Sequence, residues 1–205
     1  MPSAQPVPLV VVVPPVDMSE SCEDVLRRWT PHVERRRCIL VVPRLDLTPW
    51  LISPPDEAEL AIVKEKIEAC VDKTASMFAV RGVGLVCEMT AGYLGHWLWR
   101  QDNAKFDAFL AWNALASPGN VSERTNMGKP IFVWNRPDIF AKIRNDSRAM
   151  VDLYSAQGFA DVKSAEINEK DSWVVNQTIL TTMLDALERQ ARPPETQNSA
   201  PPSSK

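Results

Sequence analysis

The chain has little glycine, 7 residues in 205, and only 2 histidines. Neither His32 nor His96 has a partner at ligand spacing, and the cysteines at 22, 38, 70 and 87 form no CxxC pair. The usual zinc frameworks are excluded, and buried free thiols in a reducing compartment are expected. A basic surplus is also missing: the net charge is −3, which argues against a nucleic-acid partner held by phosphate neutralisation. No apolar stretch reaches the ~18–20 residues that span a bilayer. The apolar run Val7 to Val16 is broken by Pro8, Pro14 and Pro15 and lacks a basic segment before it, so no signal peptide is expected. These absences predict a cytoplasmic chain without a membrane partner.

What is present is ordinary for a globular domain, with 45% apolar and 24% charged residues. Leu9 to Val13 is a continuous apolar run rich in β-branched valine, and Cys38 to Val42 is a second apolar run. Such runs read as strands buried on both faces, typical of a parallel sheet. Thr74 to Val80, Lys129 to Trp134 and Ala160 to Ile167 supply three more strands. Helical patterns separate them. One spans about 20–34, capped by Ser19 or Ser21. A second follows Asp56 and Glu59, which form a capping box, and carries the stripe Leu60, Val63, Ile67, Cys70. A third runs from Leu85 to about Leu115. Another runs from Ile139 to about Gln157 and stops at Gly158. The last, after Asp171 or Ser172, aligns Asn176, Leu180, Met183, Leu184 and Leu187. The alternation predicts one α/β domain over 7–191, with about five mainly parallel strands and helices on both faces. Residues 1–6 and 192–205 lack the apolar content to fold and are expected to be disordered tails.

Four of the glycines crowd into one stretch, Gly82, Gly84, Gly92 and Gly95, around the acid Glu88. Read as a strand, a glycine turn and a helix, it is a common way to build a ligand site, because backbone approaches a ligand closely at glycine and helix N–H groups face it. Ligands of such sheets sit at the carboxyl ends of strands. That brings in Pro14 to Asp17 after the first strand, including Pro15 and Asp17, and Asn135 to Asp138 after the fourth. Glu88 then reads either as an acid that stabilises a helix dipole or as a nucleophile or general base. Asp72, between helix and strand, reads as a turn residue or a sugar ligand. His96 reads as a packed helix residue. Trp97, Trp99, Phe106, Phe109 and Trp112 read as core or an oligomer face.

Asp72 before a strand, Gly84 four residues before Glu88, and Gly128-Lys129-Pro130-Ile131 opening a later strand resemble the nucleoside 2-deoxyribosyltransferases and deoxynucleotide N-glycosidases. The resemblance covers roughly residues 7–140, with Gly82 in place of a polar loop-head residue and a helical insertion near 97–127. It implies a flavodoxin- or Rossmann-like fold and a nucleoside or nucleotide substrate. Glu88 would attack the anomeric carbon and Asp72 would orient the substrate. The backbone of Gly82, Val83 and Gly84 would hold a hydroxyl or phosphate. It also implies a homo-oligomer and no cofactor. A non-catalytic domain binding a nucleotide-like ligand or a protein is the alternative, and a structural subunit associating through its tryptophans is a third.

Overall fold

The computed structural model describes residues 5–15, 21–101, 105–117 and 127–191. Asp17, most of both expected tails and part of the expected insertion lie outside the described residues. The elements are β1 (Val7–Val13), α1 (Cys22–Arg36), β2 (Ile39–Val41), α2 (Glu57–Met77), β3 (Val80–Glu88), α3 (Gly92–Arg100), β4 (Ala108–Trp112), β5 (Ile131–Asn135), α4 (Ala141–Ala156), β6 (Val162–Glu166) and α5 (Ser172–Ala191). Short 3₁₀ turns occupy Thr48–Leu51 and Met89–Ala91.

Among the described residues the strands form one six-stranded sheet, ordered β2-β1-β3-β4-β5-β6, with every neighbouring pair parallel. The fold is single-domain α/β. Helices α1 and α5 cover one face, where Trp29, Val86, Leu110, Ile179 and Met183 form a buried cluster. Helices α2, α3 and α4 cover the other, around Ile67, Leu85, Leu98, Phe109 and Tyr154. The strand order reverses between β1 and β3, so the crevice expected to take ligands opens at their carboxyl ends. Two capping boxes fix the starts of helices, Ser21 with Asp24 on α1 and Asp56 with Glu59 on α2. Each such cap contributes on the order of 1 kcal/mol.

Three expectations change. The segment 74–77 is the last turn of α2 rather than a strand, because Thr74 continues the stripe Leu60, Val63, Ile67, Val71 and its hydroxyl donates to the Cys70 carbonyl at 2.8 Å. The third strand therefore starts at Val80 and contains the glycines. The helix expected to run from Leu85 to Leu115 is instead the second half of β3, then α3, then β4. Leu85 to Cys87 and Ala108 to Ala111 are wholly buried, and a short run buried on both faces has no periodicity that separates strand from helix. That adds a sixth strand inside the stretch expected to be a helical insertion. Lastly, β2 is only half-buried, since it forms the sheet edge.

No helix among the described residues is long and apolar enough to cross a membrane.

Candidate functional site

The glycines of β3 serve packing at its amino end. Val7 pairs with Val80 but Leu9 with Val83, so β3 carries one extra residue there. This is a β-bulge, and Gly82 absorbs it at φ +148°. Gly84 lets α5 lie close: a Cβ on it would stand 2.6 Å from the Met183 methyl. The Val83 N–H donates to Asp107 at 3.0 Å. At about 3.3 Å per residue, Gly82 lies roughly 20 Å along the strand from Glu88. Asp72 sits within α2, with its carboxylate mostly exposed and paired to Lys105 just ahead of β4. The expected grouping of Asp72, Gly82, Val83 and Gly84 with Glu88 is therefore broken. They occupy the amino side of the sheet, and Glu88 the carboxyl side.

Glu88 is the last residue of β3 rather than part of a helix. Strand alternation turns Gly84, Val86 and Glu88 toward α1 and α5. There the buried Glu88 carboxylate accepts from the Arg28 guanidinium at 3.2 Å, and Arg28 also donates to the Asn176 side chain at 3.2 Å. The acid thus belongs to a buried ion-pair cluster joining β3, α1 and α5.

The next residue carries the backbone strain. Met89 has φ +50°, a left-handed conformation that costs an ordinary residue roughly 1–2 kcal/mol. The chain turns sharply there, passes through the 3₁₀ turn and enters α3. Small residues make the corner possible. A Cβ on Gly92 would collide with the Leu115 carbonyl and the Ala114 side chain, and one on Gly95 would meet the Phe109 ring and the Cys87 sulfur. The Leu115 N–H donates to the Met89 carbonyl at 2.8 Å, tying the chain after β4 to the corner.

The rest of the carboxyl edge flanks this corner. Pro14 and Pro15 line a cavity of about 250 Å³ with Ser21, Cys22, Arg44 and Leu47. Asn113 at the end of β4 is also left-handed, at φ +47°, and accepts from the Arg136 N–H at 2.8 Å. Asn135 is buried and accepts from the Ser147 hydroxyl at 3.1 Å. A cavity of about 220 Å³ beyond β5 and β6 is lined by Arg136, Asp138, Asn168, Glu169 and Lys170, with Asp138 paired to Arg136 at 2.7 Å. Of the expected site residues, Pro15, Glu88 and Asn135 share this edge, although Glu88 and Asn135 are occupied by intramolecular contacts. Among the described residues no three His, Cys, Asp or Glu side chains are grouped to hold a metal.

Both histidines are packed elsewhere. His96 is fully buried on α3, its Nδ1 3.0 Å from the Tyr154 hydroxyl, and burial followed by the nearby Arg100 charge pushes its pKa down to about 3. His32, against Trp173 at a ring distance of 4.1 Å, has its pKa lowered by burial and then by Arg35.

No protein-family model and no curated protein matches the chain in sequence. Solved structures do match its fold. They include a poly(3-hydroxybutyrate) depolymerase from Bordetella parapertussis, 15% identical over 92% of this chain and 84% of that one, with a TM-score of 0.62. An S-formylglutathione hydrolase from Staphylococcus aureus is 12% identical over 89% and 82%, with a TM-score of 0.62. A poly(aspartic acid) hydrolase-1 from Sphingomonas sp. KT-1 is 10% identical over 88% and 89%, with a TM-score of 0.61. The fold is α/β-hydrolase-like. These likenesses overturn the resemblance to nucleoside deoxyribosyltransferases, of whose short motifs Asp72 is here an exposed acid paired to a lysine, Gly84 a packing glycine and Glu88 a buried ion-paired acid. The N-glycosidic reading and its nucleotide-binding alternative fall with it.

In α/β hydrolases the nucleophile sits on a strained strand-to-helix turn within G-x-S-x-G, and an acid and then a histidine follow in chain order. Here Cys87-Glu88-Met89-Thr90-Ala91 occupies that corner. The left-handed residue is a methionine, with cysteine two residues before it and alanine two residues after it. Asp138 follows β5, but no histidine follows it anywhere in the sequence. The thioether of Met89 has no proton to give up. The corner was not legible in the sequence, because it holds neither the serine nor the glycines by which that pattern is recognised.

Proposed function

We propose that this chain is an esterase-like protein whose carboxyl edge recognises an acyl compound without forming an acyl-enzyme at the elbow. The observation that carries this reading is Met89, held at φ +50° where a hydrolase of this fold presents its nucleophile. The fold's neighbours are described as acting on polyhydroxybutyrate, S-formylglutathione and poly(aspartic acid). Their shared chemistry is a carboxylic ester, thioester or amide. A half-buried methionine in place of the serine offers an apolar, polarisable surface to an acyl chain. The Thr90 N–H, which follows the elbow residue, is the donor that such a fold offers to an acyl oxygen. Four free cysteines support a reducing, cytoplasmic setting.

The test uses the purified chain with methyl-labelled methionine, p-nitrophenyl butyrate, butyrate and a fluorophosphonate probe. The Met89 methyl resonance, assigned by its loss in Met89→Leu, is expected to shift with added butyrate. Ester turnover and covalent labelling are expected to stay at background. Turnover by the wild type would place the chain among ester hydrolases with a different nucleophile and sink the reading. So would an unmoved Met89 resonance at saturating butyrate.

A further inference from the structure

Helix α4 packs on the sheet through Ile143, Met150 and Tyr154, and beside that apolar contact a groove between α4 and the strands β5 and β6 is lined by polar side chains. Helix α4 offers Arg144, Ser147, Arg148 and Val151, spaced three, four and seven residues apart and so on one helical face. Beneath them β5 presents Val133 and Asn135, while β6 presents Ser164 and Glu166 with Ala165 at the strand edge. Together these nine residues line a cavity of about 260 Å³. Asn135 and Ser147 satisfy each other, and Arg144 donates one N–H to the Ile139 carbonyl at 3.2 Å. Arg148 and Glu166 line the same cavity, yet among the described residues neither side chain makes a hydrogen bond or ion pair.

We infer that this cavity binds a free apolar α-amino acid. Opposite charges that share a cavity without meeting are matched by a ligand carrying both complements. The carboxylate lies with the Arg144 and Arg148 guanidiniums, which suit its planar, bidentate geometry. The ammonium lies with Glu166, and the side chain covers Val133 and Val151. A polyanion fits less well, because Glu166 opposes it. The site is independent of the elbow and of the reading built on it.

Calorimetric titration of the full chain tests this with L-leucine and its two halves, 4-methylpentanoate and 3-methylbutylamine. Leucine is expected to bind at least tenfold tighter than either half. Arg148→Ala is expected to weaken leucine and 4-methylpentanoate alike by about tenfold, the scale of one charged hydrogen bond. Glu166→Gln is expected to weaken leucine by a similar factor and leave 4-methylpentanoate unchanged. Both side chains are exposed, so neither variant disturbs the core, and matching thermal melts verify that. Absence of leucine binding at ten millimolar overturns the inference. Binding that neither variant changes also overturns it, by placing the ligand elsewhere.

Discussion

The two ends of β3 carry similar sequence, small residues among valines with one acid nearby, and they do opposite work. At the amino end Gly82 takes up a bulge, Gly84 admits α5, and Asp72 meets its lysine in solvent. At the carboxyl end the acid is buried and the left-handed residue is Met89, which lacks glycine's freedom. Glycine where glycine is easy marks close packing. A bulky residue kept where glycine would be easier marks a backbone that the surrounding fold enforces. In this chain the residue so enforced is a methionine, Met89.

The sharpest way to separate the ends is to remove a cation from each. Arg28→Ala leaves the Glu88 carboxylate, 5% exposed, short of a guanidinium. Breaking a buried pair from one side costs about 3 kcal/mol or more, because a charge stays in low dielectric. Urea unfolding is expected to show that loss. A double variant, Arg28→Met with Glu88→Met, is expected to recover most of it, since paired apolar replacement is often near neutral. If the single variant unfolds like the wild type, the cluster does not anchor the corner.

A second contrast uses pH. His96 lies behind the corner with its pKa lowered from 6.5 to about 3, so it is neutral in the folded chain. Below pH 6.5 the unfolded chain takes up a proton that the folded chain refuses. Stability therefore falls as pH drops, by about 1.4 kcal/mol per unit from this one group, until pH reaches about 3. His32 is lowered in the same direction and adds to the slope. Urea midpoints between pH 4 and 6.5 are expected to rise with pH in the wild type and to rise less in His96→Gln. An unchanged slope in that variant would assign the acid sensitivity to carboxylates.

Much of the fold was legible because its signals are local. The valine run of β1, the capping boxes at Ser21 and Asp56, and the α5 stripe from Asn176 to Leu187 each fix an element without reference to the rest. The misread elements are those whose state depends on neighbours. Leu85 to Cys87 and Phe109 to Ala111 are apolar without period because helices lie on both sides. The candidate site suffered most. The glycines suggested a ligand loop because their partners, a one-residue register shift and the Met183 methyl, come from distant segments. The strained residue drew no attention because methionine gives no hint of a positive φ. Glu88 lies one residue before the corner and is turned away from it toward Arg28, a contact between distant segments that no local pattern announces.

The smallest expected effect belongs to the amino end. Asp72→Asn removes the carboxylate that meets Lys105, with 64% of the Asp72 side chain in solvent. An exposed pair gains little Coulomb energy in high dielectric and loses side-chain freedom in forming, so its worth is about 0–1 kcal/mol. The expected change in the urea midpoint is correspondingly small and shrinks further in added salt, where screening weakens what attraction there is. The same variant should leave the Met89 methyl resonance and its response to butyrate untouched, because Asp72 and Met89 lie at opposite ends of the sheet. A shift of that resonance in Asp72→Asn would mean that the two ends of β3 communicate. The division drawn between a packing end and a site end would then not hold.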